Sequence, residues 1–300
     1  MSATVVVATV PGHSNLLRSD YLIRHVAEHW RPLGVEFELT TSPRVSPPGD
    51  IGWQHLDTTR VAEDYQELIA RYAVAINRGP SDVHKRSTAT HLVARDDPWH
   101  GPVIVKTDLN YGGRTEDWAH RWRPLRHPLV HAFRDRLPAR LTGRMAPDEY
   151  PIYSSKALVP SWVWRDRRFV VQRFLTEQSD GLYGIRRWFF FGDREFAYLA
   201  YSPAPIVSGD NHSRWEQLGD PPPGLRARRA ELGLDYGKID YAEVENELVV
   251  YDVSPTISAD GPPGSSPQRQ MIAELVPGLG GFLEHVEERA AGAGSPSSPL

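Results

Sequence analysis

LGLDYGKIDYAEVENELVVYDVSP, residues 232–255, sets two apolar runs, IDYAEV and LVVYDVS, on either side of the short polar segment ENE. Such alternation on two arms predicts a β-hairpin with one face in a core. Asp240 and Asp252 disturb that reading, since each places a carboxylate inside an otherwise apolar strand. With ENE as a three-residue connection, Asp240 lies directly opposite Asp252, and Ser254, two residues on, shares their face. Like charges facing each other across a ladder are unfavourable unless a cation stands between them. A hard divalent ion, Mg²⁺ or Mn²⁺, held by oxygen ligands and by nucleotide phosphates, resolves the conflict. On the hairpin alone, a solvated strand face bearing ordinary surface acids fits equally well.

The chain has 300 residues, 40% hydrophobic and 24% charged, with a formal net charge of -4. That is a globular composition, long enough for one large core or a few small lobes. The slightly acidic balance gives no support for a nucleic-acid partner bound by phosphate neutralisation. Arginine clusters at 121–126 and 165–168 are local and interleaved with Trp, which suits an anionic small ligand or a solvated face. Cysteine is absent, which excludes disulfide scaffolds, thiolate metal sites and thiol nucleophiles and fits a reducing compartment. MSATVVVATVPGHSN has no basic n-region, so no signal peptide is expected there, and no apolar stretch reaches the roughly eighteen residues of a membrane span. The expectation is a soluble, cytoplasmic protein without a membrane partner.

ATVVVATV (3–10) predicts a buried parallel strand, followed by an amphipathic helix through Leu16, Leu22, Val26 and Trp30. VEFELT (35–40), IGWQHLD (51–57) and AVAIN (73–77) read as further strands, with a helix over 63–72. This alternation predicts a small α/β domain over residues 1–80. From about 80 the pattern changes. A short helix in SDVHKRSTATHLV leads to the strand VIVKT (103–107) and the loop DLNYGGRTED, and 118–150 resists assignment. FVVQRFL, IRRWFFFGD and REFAYLAYS predict antiparallel strands, the last two forming a hairpin at Gly192-Asp193. One helix is expected near 224–233, another over 268–290, and a disordered tail over 291–300.

Lys106 ends a core strand, so its ammonium emerges from the interior rather than from a surface helix. Gly112 and Gly113 follow, and adjacent glycines let backbone N–H groups close over phosphate oxygens. Neither a Walker A sequence nor GxGxxG occurs. The order of features resembles the ATP-grasp superfamily: Lys85 in a helix entry, Lys106 on VIVK, a glycine flap, VVQRFL, the R-x4-G hairpin from Arg187, then LGLDYGKID and YDVSP. The likeness runs over about 80–260, and the preceding α/β lobe resembles that superfamily's N-terminal domain.

The resemblance implies an α/β (α+β) protein in which two antiparallel-sheet lobes over 81–290 clasp ATP, with a hinge near 172–177. It implies that Lys85 and Lys106 contact the nucleotide, Lys106 at its phosphates, beneath a flap at Gly112 and Gly113. Gln172 stands just before the linker, the backbone of Arg173, Phe174 and Leu175 meets the adenine edge, and Glu177 accepts ribose hydroxyls. Arg187 stabilises the transferred phosphate, as phosphoryl transfer requires where charge spreads over equatorial oxygens. Asp240, Asp252 and Ser254 hold Mg²⁺ or Mn²⁺, while Arg186 points to the other face of its strand.

The superfamily usually carries E-x-N where this chain has Asp252-Val253-Ser254. Both replacements are shorter, and Ser is the weaker ligand. The leading expectation is a ligase that activates a carboxylate as an acyl phosphate for attack by an amine, with small molecules or a peptide as substrates; a homodimer is one assembly this reading allows. The alternatives are an ATP-grasp kinase acting on an alcohol, or a degenerate copy that binds nucleotide or a partner without turnover. The histidines show no metal-motif spacing, Ser14 in PGHSN sits where α/β domains bind ligands, and Trp118 and Trp122 flank the flap.

Overall fold

The structure, a computed structural model, describes residues 2–113, 116, 137–259 and 266–293. Arg114, Trp118, Trp122, His120, His127, His131 and residues 294–300 lie outside this set.

The first sheet is parallel, in the order β2-β1-β3-β4, with β1 at Ala3–Ala8, β2 at Val35–Thr40, β3 at Ile51–Gln54 and β4 at Val74–Ile76. The β-branched run of β1 is buried on both faces, which is why it shows no alternation. Val5 and Val7 pack with the helix Leu22–Trp30, and Val6 and Ala8 with Leu68 and Ile69 of the helix Glu63–Ala70.

Two antiparallel sheets follow. Strands β5 (Val103–Thr107), β6 (Ile152–Tyr153) and β7 (Phe169–Arg173) form a small sheet in the order β6-β5-β7. The larger sheet contains β8 (Glu177–Ser179), β9 (Leu182–Phe191), β10 (Arg194–Ser202), β11 (Arg214–Gln217), β12 (Tyr236–Val244) and β13 (Glu247–Ser254). Its order is β11-β10-β9-β12-β13, with β8 paired to β9. The expected helix in SDVHKRSTATHLV is a single turn, Lys85–Thr88. The expected helix over 268–290 is two, Ser266–Leu275 and Leu279–Ala293, because Pro277 interrupts it. The second of these carries helix to residue 293, into the segment read as a disordered tail.

The hairpin of β12 and β13 reaches its expected pairing by another route. Its turn has two residues, Glu245 and Asn246, both left-handed (φ 53° and 67°), and Val244 pairs with Glu247. That turn alone would shift the ladder by one residue. A bulge at Tyr251 shifts it back, so Asp240 does face Asp252.

The parallel and large antiparallel sheets share one core. Trp53 of β3 lies 4.9 Å from the Phe191 ring and edge-on to Tyr236 at 5.0 Å. Asn77, left-handed at φ 57° and buried, binds these parts together. Its Nδ2 donates to the carbonyls of Tyr236 (2.7 Å) and Pro255 (3.1 Å), and its Oδ1 accepts from the backbone N–H groups of Asp235 and Tyr236. The beginning of β12 and the chain just beyond β13 are thereby held by one side chain. Among the described residues no helix is long and apolar enough to cross a membrane.

Candidate active site

Strand register builds the site. Tyr198, Arg187, Asp240 and Asp252 pair successively across β10, β9, β12 and β13, forming one row on one sheet face. Along β9, side-chain alternation puts Ile185, Arg187 and Phe189 on that same face, and all three line a cavity of about 370 Å³. The cavity floor therefore reads apolar, cationic, apolar along one strand. Lys85 and Lys106 also line the cavity, from the turn Lys85–Thr88 and from β5.

Each carboxylate already holds a cation. Asp240 Oδ2 accepts from Lys238 Nζ at 2.8 Å, and Asp252 Oδ1 pairs with Lys85 Nζ at 2.9 Å. Asp240 Oδ1 is buried without a hydrogen-bond partner, as is Arg187 Nε, 3.9 Å away. Burial is the largest influence on the Asp240 carboxyl and pushes it up, but Lys238 and Arg187 outweigh it and hold it below the usual range. Burial likewise opposes the Lys85 ammonium, yet Asp252 leads the groups that raise it above the ordinary lysine value. Arg187 donates to Tyr198 Oη and to the Val207 carbonyl, both at 3.1 Å, so its plane is fixed.

Lys106 is different. Burial, reinforced by Lys85, lowers its ammonium to about 7 against the pull of Asp252 and Asp240. Its Nζ donates to Gln172 Oε1 at 2.7 Å and stands 4.9 Å from the centre of the Tyr251 ring. Gln172 is itself fixed, since its Nε2 donates to the carbonyls of Thr90 (2.7 Å) and Val250 (2.8 Å). The bulge brings Tyr251 into this group, because Tyr251 and Asp252 both line the cavity although they are adjacent in sequence.

The other expected residues are placed as follows. Gly112 and Gly113 are left-handed (φ 68° and 80°) in the turn Asn110–Gly113, whose Tyr111 lines the cavity. Phe174 lines it too. The Arg173 N–H donates to the His91 carbonyl, the Arg173 guanidinium lies over Trp99, and the Leu175 carbonyl accepts from Tyr251 Oη. Glu177 Oε1 accepts from Arg186 Nε and the Glu243 N–H, which places it with Arg186 rather than in the cavity lining. Ser254 is also outside the lining, and its hydroxyl donates to the Thr256 carbonyl at 2.9 Å. The structure thus gathers Lys85, Lys106, Phe174, Arg187, Asp240 and Asp252 in the cavity, and places Gln172 directly behind Lys106.

Lys238 was not anticipated, although the spacing K-x-D puts it on the face of Asp240. Asp57 was also missed. This buried carboxylate accepts from Tyr21 Oη at 2.6 Å and from Asn110 Nδ2 and Thr256 Oγ1, both at 3.0 Å. No short motif marks it, because its partners lie far apart in the chain.

No family model and no curated protein matches the chain. Solved structures do. A RiPP-associated ATP-grasp ligase from Chryseobacterium gregarium, in complex with ADP and a leader and core peptide, is 9% identical with a TM-score of 0.51, covering 92% of this chain and 96% of that one. An ATP-grasp RimK domain protein from Sphaerobacter thermophilus is 14% identical with a TM-score of 0.42, over 83% and 90%. A D-alanine–D-alanine ligase from Bacillus anthracis is 8% identical with a TM-score of 0.45, over 98% and 100%. The chain has the ATP-grasp fold.

Proposed function

We propose that the protein is an ATP-dependent ligase that activates a carboxylate as an acyl phosphate for attack by an amine. The observation that carries this reading is the convergence of Lys85, Lys106, Arg187 and Lys238 around Asp240 and Asp252 in one cavity. Phosphoryl transfer asks the protein mainly for positioning and charge neutralisation, and this set supplies both. In this reading residues 1–80 form the N-terminal domain and 81–290 the ATP-grasp domain. The base lies among Ile104, Phe174, Ile185 and Tyr251, by the hinge of Gln172 to Glu177. Lys85, Lys106 and the turn with Gly112 and Gly113 meet the phosphates.

Arg187 neutralises the equatorial oxygens of the phosphoryl group in transfer, and Lys238 assists beside it. A carboxylate oxygen of the substrate bonds to the terminal phosphorus as the bond to the ADP oxygen breaks. The amine nitrogen then bonds to the acyl carbon, phosphate leaves with the C–O electron pair, and the amine releases a proton. No protein nucleophile is needed.

Mg²⁺ or Mn²⁺ fits this donor set, because Asp240 Oδ1 is a buried lone-pair donor without a partner and Mg²⁺ is commonly held by one or two carboxylates plus phosphates and water. Among the described residues no group of three or more His, Asp or Glu side chains could hold a metal, so Asp240 and Asp252 would hold the ion together with phosphates and water. The ion would supply charge neutralisation at the phosphates. A peptide substrate accords with the leader and core peptide held by the Chryseobacterium gregarium ligase. We place the protein in the cytoplasm.

The engagement of Ser254 with Thr256 leaves two carboxylates as ligands and favours a second reading, nucleotide binding without turnover. Incubation with ATP, Mg²⁺ and pooled carboxylates and amines separates the two. ADP release that requires both pools supports the ligase. Nucleotide-dependent thermal stabilisation without ADP release supports the second reading, and the absence of both rejects each.

A further inference from the structure

Contacts close a ring around the glycine turn. Asp252 holds the Lys85 ammonium at 2.9 Å, and Lys85 Nζ donates to the Leu109 carbonyl at 2.8 Å. Asn110, next in the chain, donates through Nδ2 to Asp57 Oδ1 at 3.0 Å. Thr256 Oγ1 donates to the same oxygen at 3.0 Å, and Ser254 Oγ donates to the Thr256 carbonyl at 2.9 Å. Ser254 returns the path to Asp252 along β13.

Asp57 closes this ring from outside the antiparallel sheets, in the segment that follows β3. Its second oxygen accepts from Tyr21 Oη at 2.6 Å, and Tyr21 bridges to Ser258, which lines the cavity. One buried carboxylate therefore receives donors from three segments: the glycine turn, the chain just beyond Asp252, and the entry to the helix Leu22–Trp30. Packing alone would favour a neutral residue there, because burying a carboxylate carries a desolvation cost that only matched donors offset.

We propose that Asp57 is a positioning residue: it sets the turn Asn110–Gly113 against Lys85 and Asp252, and links that turn to the Ser258 end of the cavity. The inference rests on the nucleotide reading above, in which the turn faces phosphates. It assigns Ser254 a place in the ring as a strut.

The test compares MgATP with adenosine, which has no phosphates, by titration calorimetry on the full chain. Asp57→Ala is expected to raise the Kd of MgATP about tenfold, the factor set by 1.4 kcal/mol. Its Kd for adenosine should stay within about twofold, a split that general destabilisation does not produce. Asp57→Asn keeps an amide oxygen for Asn110 and Thr256 and should recover most of the loss. Asn110→Ala should match Asp57→Ala, and the double variant should be no weaker than either, as expected for partners in one contact. If Asp57→Ala does not fold, Asn110→Ala alone must show the MgATP loss. An unchanged MgATP Kd, a parallel adenosine loss or additive effects would overturn the inference. If the wild type binds no MgATP, the nucleotide reading fails and the inference with it. If the wild type binds and the variants match it, the inference alone fails.

Discussion

In the proposed nucleotide reading, Lys106 makes binding a proton-linked event. Its ammonium is enclosed, and burial followed by Lys85 brings it down to about 7, so near pH 8 only about one molecule in ten carries the charge. Phosphates stabilise the charged form, so on this reading MgATP should draw a proton in as it binds. Each pH unit above the free value then weakens binding by up to about tenfold, or about 1.4 kcal/mol, until the bound-state pKa is reached. Folding runs the other way. The unfolded lysine keeps its proton up to its ordinary value of 10.5 while the folded one loses it near 7, so this group's contribution to stability rises with pH across that window.

Calorimetry between pH 6 and 9, in buffers of different ionisation enthalpy, reads affinity and proton uptake together. Close to one proton per MgATP is expected near pH 8, with a flat affinity below about pH 6. Lys106→Arg, charged throughout, should hold its affinity at pH 9, and its profile removes any titration of ATP itself from the comparison. A wild-type affinity that matches the arginine variant from pH 7 to 9 would refute the reasoning.

Asn77→Ala strips four hydrogen bonds from the join at Tyr236 and Pro255 and puts alanine at a left-handed position, so urea unfolding should show a loss of about 3–5 kcal/mol. A loss below about 1 kcal/mol would count against that side chain as the clasp. Asp240→Asn removes the negative charge shared by the oxygen facing Lys238 and by Oδ1, which has no hydrogen-bond partner, and should abolish the Mg²⁺-dependent part of thermal stabilisation by ATP while the Mg²⁺-free part persists. An unchanged Mg²⁺ dependence removes Asp240 from the metal set. Gly112→Ala adds a Cβ that collides with the Met145 carbonyl oxygen at a left-handed position, so MgATP should bind at least about tenfold more weakly. Wild-type affinity in that variant would mean the turn does not serve the phosphates.

Strongly patterned elements were legible from sequence, because β1, β5 and β10 bury long apolar runs and β2 alternates, signals that survive any tertiary arrangement. The short strands β6, β8 and β11 were not. IY, EQS and RWEQ carry no pattern of their own, and their ladders exist because a neighbouring strand offers an edge. The facing of Asp240 and Asp252 was foreseen only because two unforeseen departures, a two-residue turn and a bulge, cancel. Lys106 and the two carboxylates were readable from local pattern, and Arg187 only through the resemblance of its R-x4-G hairpin to the ATP-grasp superfamily. Lys238 sits in plain alternation with Asp240, two residues on, but no motif singles it out. Asp57 and Asn77 act on groups about 50 to 200 residues away, a distance over which sequence pattern carries no information.

The bulge at Tyr251 also bears on how this hairpin can change by insertion and deletion. Removing that single residue would leave an unbroken ladder with the same turn and the same facing carboxylates, since Asp240 pairs with Asp252 and Tyr241 with Val250 on either side of it. What would vanish is the ring near Lys106 and the hydroxyl at the Leu175 carbonyl. A lineage could therefore acquire or discard this one aromatic ring of the cavity lining in one codon, with the acidic pair kept in frame.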